Sequence, residues 1–189
     1  MSLVLEKGQK VEITKGTGVK RINVGLGWDT NDPSGNPFDL DAMAFLLNKD
    51  GKCQSPDDFI FFHHLKHPSG SVVHSGDNLT GAGEGDDEVI TLELDKVPAT
   101  VEKVVFVICI YKASERKQNF GMVKNAFARV VNADGNSEMM KYDLTEDYST
   151  MTSVVVGEIY RKDGEWKFNA IGEGRKAEIG EMARSNGLS

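Results

Sequence analysis

Positive charge is what this 189-residue chain has little of: 22 lysines and arginines face 29 aspartates and glutamates, a formal charge of −7. With no basic stripe to neutralise phosphates, nucleic acid is not an expected partner. Long apolar runs are missing as well. The longest, such as 104–110, fall far short of the roughly 20 residues that span a bilayer, so no direct membrane insertion is expected. Cysteine is scarce, with Cys53 and Cys109 far apart. Cys109 lies in an apolar run and reads as a small core residue, while Cys53 follows a predicted turn and reads as exposed. Without a charged-then-apolar leader, no disulfide is expected and the expected setting is cytoplasmic. No linker, low-complexity tract or repeat divides the chain, and its length suits one domain over 1–189.

Many short alternating segments are present instead. Residues 10–13, 20–29, 89–94, 101–111, 126–131, 138–144, 152–161 and 165–170 read as strands separated by glycine-rich turns such as Lys162-Asp163-Gly164. Residues 119–124 suit a single helical turn. One segment, 176–185, suits an amphipathic helix through Ile179, Met182 and Ala183, ended by Asn186-Gly187. This pattern predicts an all-β fold, an antiparallel β-sandwich of two sheets with few short helices, including a C-terminal one.

The chain's chemistry concentrates in residues 76–88, Gly-Asp-Asn-Leu-Thr-Gly-Ala-Gly-Glu-Gly-Asp-Asp-Glu. Five carboxylates packed into one loop repel one another unless a cation sits among them. Calcium, which takes six to eight oxygens in flexible geometry, suits such a loop, and glycines let its backbone turn carbonyls inward. A second acidic stretch is Phe38-Asp39-Leu40-Asp41-Ala42. Strand alternation puts Asp39 and Asp41 on one face, where two acids are costly unless paired or bound to metal. Together these segments make Asp39, Asp41, Asp77, Asn78, Asp86, Asp87 and Glu88 ligand candidates. Asp29 is a weaker member, and carbonyls of 79–84 are available. This is oxygen enough for two neighbouring calcium ions. Magnesium fits less well, because it demands octahedral geometry and keeps its water.

Other chemistries fare worse. Asp77 and Glu88 have the spacing of EF-hand loop ends, but Leu79, Gly81 and Ala82 occupy positions that need oxygens and a glycine. The glycine loop lacks the Lys-Ser/Thr of a phosphate cradle, and Gly25-x-Gly27 is followed by a loop instead of a helix. His63, His64 and His67 match no common zinc spacing and read as surface residues. No strand–elbow–helix presents a nucleophile, and a solvated acidic turn is the plain alternative to a metal site.

The run Phe38-Asp39-Leu40-Asp41-Ala42 with Phe45-Leu46-Leu47, then residues 71–81 leading into Gly85-Asp86-Asp87-Glu88, closely resembles the TerD-type tellurite-resistance and stress-response proteins. Asn119-Phe120-Gly121, Gly157-Glu158-Ile159-Tyr160-Arg161 and Gly164-Glu165-Trp166-Lys167-Phe168 extend the resemblance over essentially the whole chain. It implies a cytosolic calcium-binding β-sandwich with two adjacent sites. It also implies a gene neighbourhood linked to resistance against tellurite, phages and pore-forming toxins. The acids already named match the family's calcium positions. Met43 departs from the serine usual in relatives, and Arg175-Lys176-Ala177-Glu178 is more charged than the family's glycine/alanine-rich tail. A slime-mould relative is associated with cyclic AMP, but no phosphate site is apparent here. The expected function is non-enzymatic: bound calcium orders a surface for other proteins of the resistance system, a membrane-associated complex among them. The alternatives are a metal-dependent phosphoester hydrolase, a nucleotide-binding module, or tellurite chemistry at Cys53 or Cys109.

Overall fold

A strand buried at every second residue leaves its sheet one apolar face to cover, and here two sheets cover each other. The computed structural model describes residues 3–29, 38–79, 85–144 and 148–189. Their strands are β1 (Leu3–Val4), β2 (Lys10–Glu12), β3 (Arg21–Gly27), β4 (Leu40–Leu47), β5 (Phe59–Ile60), β6 (Val72–His74), β7 (Glu88–Glu93), β8 (Lys103–Ile110), β9 (Phe127–Asn132), β10 (Ser137–Asp143), β11 (Ser153–Lys162) and β12 (Glu165–Arg175). One sheet runs β1-β10-β9-β3-β7-β6 and the other β2-β12-β11-β8-β4-β5. Pairing is antiparallel except between β1 and β10, which are parallel through Leu3 opposite Met140. Left-handed Gly8 lies where the chain passes from one sheet to the other. The β11–β12 hairpin closes on Asp163 and Gly164, both at positive φ, the two-residue turn whose twist matches its strands.

The segment 101–111, read as a strand, supplies β8, which is internal to its sheet between β11 and β4. Its neighbour β4 is buried along its whole length instead of alternating. Leu40, Ala42, Ala44 and Leu46 enter the core between the sheets. Met43, Phe45 and Leu47 form a second apolar cluster on the outer face with Met182, beneath the C-terminal helix. That covering layer also buries Cys53, whose N–H donates to the Asn186 carbonyl. The expectation of an exposed Cys53 therefore fails, because the helix returns across the strand that precedes it. Periodicity gave no sign of α1 (Ala113–Arg116), which is too short to show one. The C-terminal helix, α2 (Ile179–Ser185), starts behind a Glu178/Glu181 capping box. The 119–124 segment is a 3₁₀ turn over Phe120–Met122. Among the described residues, no helix is long and apolar enough to cross a membrane.

Candidate metal centre

The two acidic segments approach each other at one end of the sandwich. Asp39 immediately precedes β4 and Asp41 is its second residue. Both share the parity of Met43, so they lie at the open end of the outer face. They are only 5% and 2% exposed. Asp77 comes from the other sheet, three residues past the end of β6, and is itself exposed. One carboxylate oxygen from each of Asp39, Asp41 and Asp77 lies within 4.8 Å of the others. Oxygens bound to one calcium at 2.3–2.6 Å are at most about 5 Å apart, so this spacing admits a shared ion.

Hydrogen bonding sharpens the case. Among the described residues, Asp39 Oδ1 and Asp41 Oδ2 are buried without a donor, an arrangement costly for a carboxylate unless a cation or a proton supplies the missing partner. Both carboxyls keep their protons to higher pH than an exposed aspartate does. Burial, followed by the charges of Glu88, Asp39 and Asp77, pushes the Asp41 carboxyl up to about 8. Burial and the Asp77 charge push Asp39 up to about 6, against the opposing pull of Arg116. Arg116, at the end of α1, brings Nη1 to 3.7 Å from Asp39 Oδ2. An all-oxygen, anionic donor set of this kind suits a hard divalent cation.

Behind this cluster, the sheets are joined by side chains from one reaching the backbone of the other. β5 pairs with β4 only at Ala44 and Phe45, leaving the Ala42 edge unpaired by strand. Glu88 fills the gap: it occupies a core-facing position of β7, is fully buried, and accepts the Ala42 N–H at 2.7 Å through Oε2. Its Oε1 accepts the Asn78 N–H at 3.1 Å. His74 serves the other half of the Ala42 peptide edge. Gly76 N–H donates to Nδ1, which puts the ring proton on Nε2, 3.1 Å from the Ala42 carbonyl oxygen and 3.4 Å from Glu88 Oε2. Sequence reading missed His74 as a member of this region. The available signal was a histidine at an inward position of a Val-rich strand, two residues after buried Val72.

The remaining candidates divide. Asp87 accepts the Trp28 N–H through Oδ2 and the Asn78 side-chain amide through Oδ1, and burial raises its pKa. Asp86 turns to Arg129, whose Nε donates to it at 2.7 Å, and lies directly over Gly25. Any Cβ at residue 25 would fall 2.2 Å from Asp86 Oδ2, and one at Gly27 would meet the Phe127 ring at 2.5 Å. The Gly25-x-Gly27 pair thus makes room for side chains. Asp29 is exposed and accepts from Asn125 Nδ2 at 2.5 Å. Of the carbonyls of 79–84, those of 80–84 lie outside the described residues.

The other chemistries can be placed too. His63 is exposed, but His67 is buried, against the expectation of a surface residue. It lies between Ser69 Oγ at 2.8 Å and Asp58 Oδ1 at 3.3 Å. This is a Ser–His–Asp chain whose nearby N–H groups are all spent: Ser69 on His67 Nδ1, Gly70 on the His67 carbonyl, Ser71 on Ser69 Oγ. Nothing at that turn is left to hold an oxyanion. Both cysteines are buried. Burial pushes the Cys53 thiol up to about 12 and Cys109 further still, so neither supplies thiolate at neutral pH. A groove of about 690 Å³ beside Phe61 and His64, and one of about 380 Å³ beside Lys117, are lined by none of Asp39, Asp41 and Asp77.

Fold and site together define a two-sheet β-sandwich carrying a buried carboxylate cluster where its sheets meet. The TerD domain matches residues 1–185, and the chain belongs to that family of tellurium-resistance and stress-response proteins. It is 54% identical to general stress protein 16U of Bacillus subtilis strain 168, over 100% of this chain and 98% of that protein. To the tellurium resistance protein TerD of Serratia marcescens it is 47% identical, over 100% and 99%. Among solved structures, a TerD homologue from Streptomyces coelicolor A3(2), SCO6318, superposes with a TM-score of 0.76 at 25% identity, covering 91% of this chain and 100% of that one. SAV2460, described as of unknown function, gives 0.78 at 26%, covering 92% and 99%.

Proposed function

We propose that this protein is a cytoplasmic, non-enzymatic calcium-binding member of a tellurium-resistance and stress-response system. The observation that carries the proposal is the pair of donorless buried oxygens, Asp39 Oδ1 and Asp41 Oδ2, gathered with Asp77. Asp39, Asp41 and Asp77 would hold the first ion. Asp29 and Asp87, whose pKa the Asp29 charge helps to raise, flank the region from which a second would draw ligands. Bound calcium supplies the positive charge that the cluster otherwise meets with protons. It thereby ties the β4 end of one sheet to the segment after β6 of the other, ordering an acidic surface for partner proteins of the resistance system.

Titration calorimetry with calcium and with magnesium tests this. Calcium uptake by the unaltered protein, lost in Asp41→Asn, is the expected result. No calcium uptake at millimolar concentrations would remove the proposal.

A further inference from the structure

We propose that Arg116 is the resident counter-cation of the acid cluster and that calcium evicts it. This rests on the calcium reading above. The guanidinium is a loose occupant: Nη1 stands 3.7 Å from Asp39 Oδ2, beyond hydrogen-bond range, where arginine and carboxylate normally grip at about 2.7–2.9 Å. It reaches one carboxylate oxygen and leaves Asp39 Oδ1 and Asp41 Oδ2 without donors among the described residues. Its field nonetheless opposes the rise in both acids' pKa. A divalent ion among Asp39, Asp41 and Asp77 meets three carboxylates and repels the guanidinium beside it, so the two cations compete for one place.

The structure also provides somewhere for the displaced side chain to go. Arg116 is 29% exposed and its guanidinium already lies over the Tyr111 ring, 5.3 Å from the centroid. The short helix α1 that carries it is bracketed by Lys112 and Lys117, non-glycine residues at φ 51° and 54°, a conformation such residues rarely adopt. The turn is closed by Arg116 N–H to the Lys112 carbonyl and Gln118 N–H to the Ala113 carbonyl. Eviction therefore turns metal uptake in a buried cluster into movement of positive charge at the surface, beside Tyr111 and Lys112.

The test is calcium titration of the unaltered protein, Arg116→Gln and Arg116→Lys at low salt, with the Arg116 Nε–H resonance followed by NMR in the unaltered protein. Arg116→Gln should bind calcium about tenfold more tightly, and Arg116→Lys, which keeps the charge, about as the unaltered protein does. The resonance should move as calcium is added. In chelator, Arg116→Gln should melt below the unaltered protein, having lost a positive charge that relieves Asp39. Equal or weaker calcium binding by Arg116→Gln, or an unmoved resonance while calcium is taken up, overturns the inference. If the unaltered protein takes up no calcium, the underlying reading has failed and this one goes with it, an outcome that the unaltered protein alone decides.

Discussion

Replacing Asp41 by asparagine should stabilise the metal-free protein while removing its response to calcium. In an unfolded chain this carboxyl titrates near 3.8, and in the fold burial and its acidic neighbours raise it to about 8. Between those values the folded state holds a proton that the unfolded state releases. The resulting stability is fully present below pH 3.8 and is lost as pH rises toward 8. Each tenfold step in the proton equilibrium is about 1.4 kcal/mol, which sets a ceiling of about 6 kcal/mol. Relaxation and water entry at a buried charge reduce the realised effect to about 2 kcal/mol. Asparagine keeps the shape without the charge. In chelator at pH 8, Asp41→Asn should therefore melt about 4–8 °C above the unaltered protein. At pH 4.5 the gap should shrink to about 1 °C, because the native acid is then neutral. Calcium should raise the melting point of the unaltered protein by mass action and leave the variant nearly unmoved. Scanning calorimetry over pH 4.5–8, with and without calcium, reads all of this. A pH-independent gap, or a variant that still gains from calcium, would refute the reasoning.

Three further outcomes follow from the same geometry. Glu88→Gln removes a buried charge that accepts the Ala42 and Asn78 N–H groups, and should cost about 2–4 kcal/mol in guanidinium unfolding; a loss below about 0.5 kcal/mol would mean the bridge between sheets is incidental. Gly25→Ala forces a methyl group against Asp86 while Arg129 holds that carboxylate, and should cost about 1–3 kcal/mol; the Arg129 Nε–H resonance should shift with it, and an unchanged resonance and stability would contradict the packing. Cys53 and Cys109 should both resist a thiol reagent in the native protein at neutral pH and react on unfolding; rapid native labelling of either would reopen tellurite chemistry at sulfur.

Much of this was legible without coordinates. Alternation in 89–94 and 126–131 identifies half-buried strands to within a residue at each end, and Asp163-Gly164 announces its hairpin, because these are effects of neighbours one or two residues apart. The same parity puts Asp39 and Asp41 on one face. It could not reveal that this face is the outer one, covered further along by α2, since β4 is apolar on both sides. Helix α1 was illegible because four residues hold no period, and its Arg116 therefore went unnoticed. The acids of 76–88 looked equivalent in sequence, yet the fold gives them different tasks. Asp77 joins Asp39 and Asp41, Glu88 serves the Ala42 backbone, Asp87 receives Trp28, and Asp86 answers Arg129.

The sequence alone determined the kind of protein: a chain rich in alternating short strands, poor in positive charge, with two acidic stretches too crowded to lie idle. Local spacing and composition suffice for that, because strand parity and charge density are properties of the chain itself. Only the tertiary structure decided which acids face one another, since Asp41 stands in one sheet and Asp77 follows a strand of the other, and their separation in space depends on how those sheets pack. Burial then did the rest, by withdrawing water from Asp39 and Asp41 and leaving their oxygens in need of a positive partner.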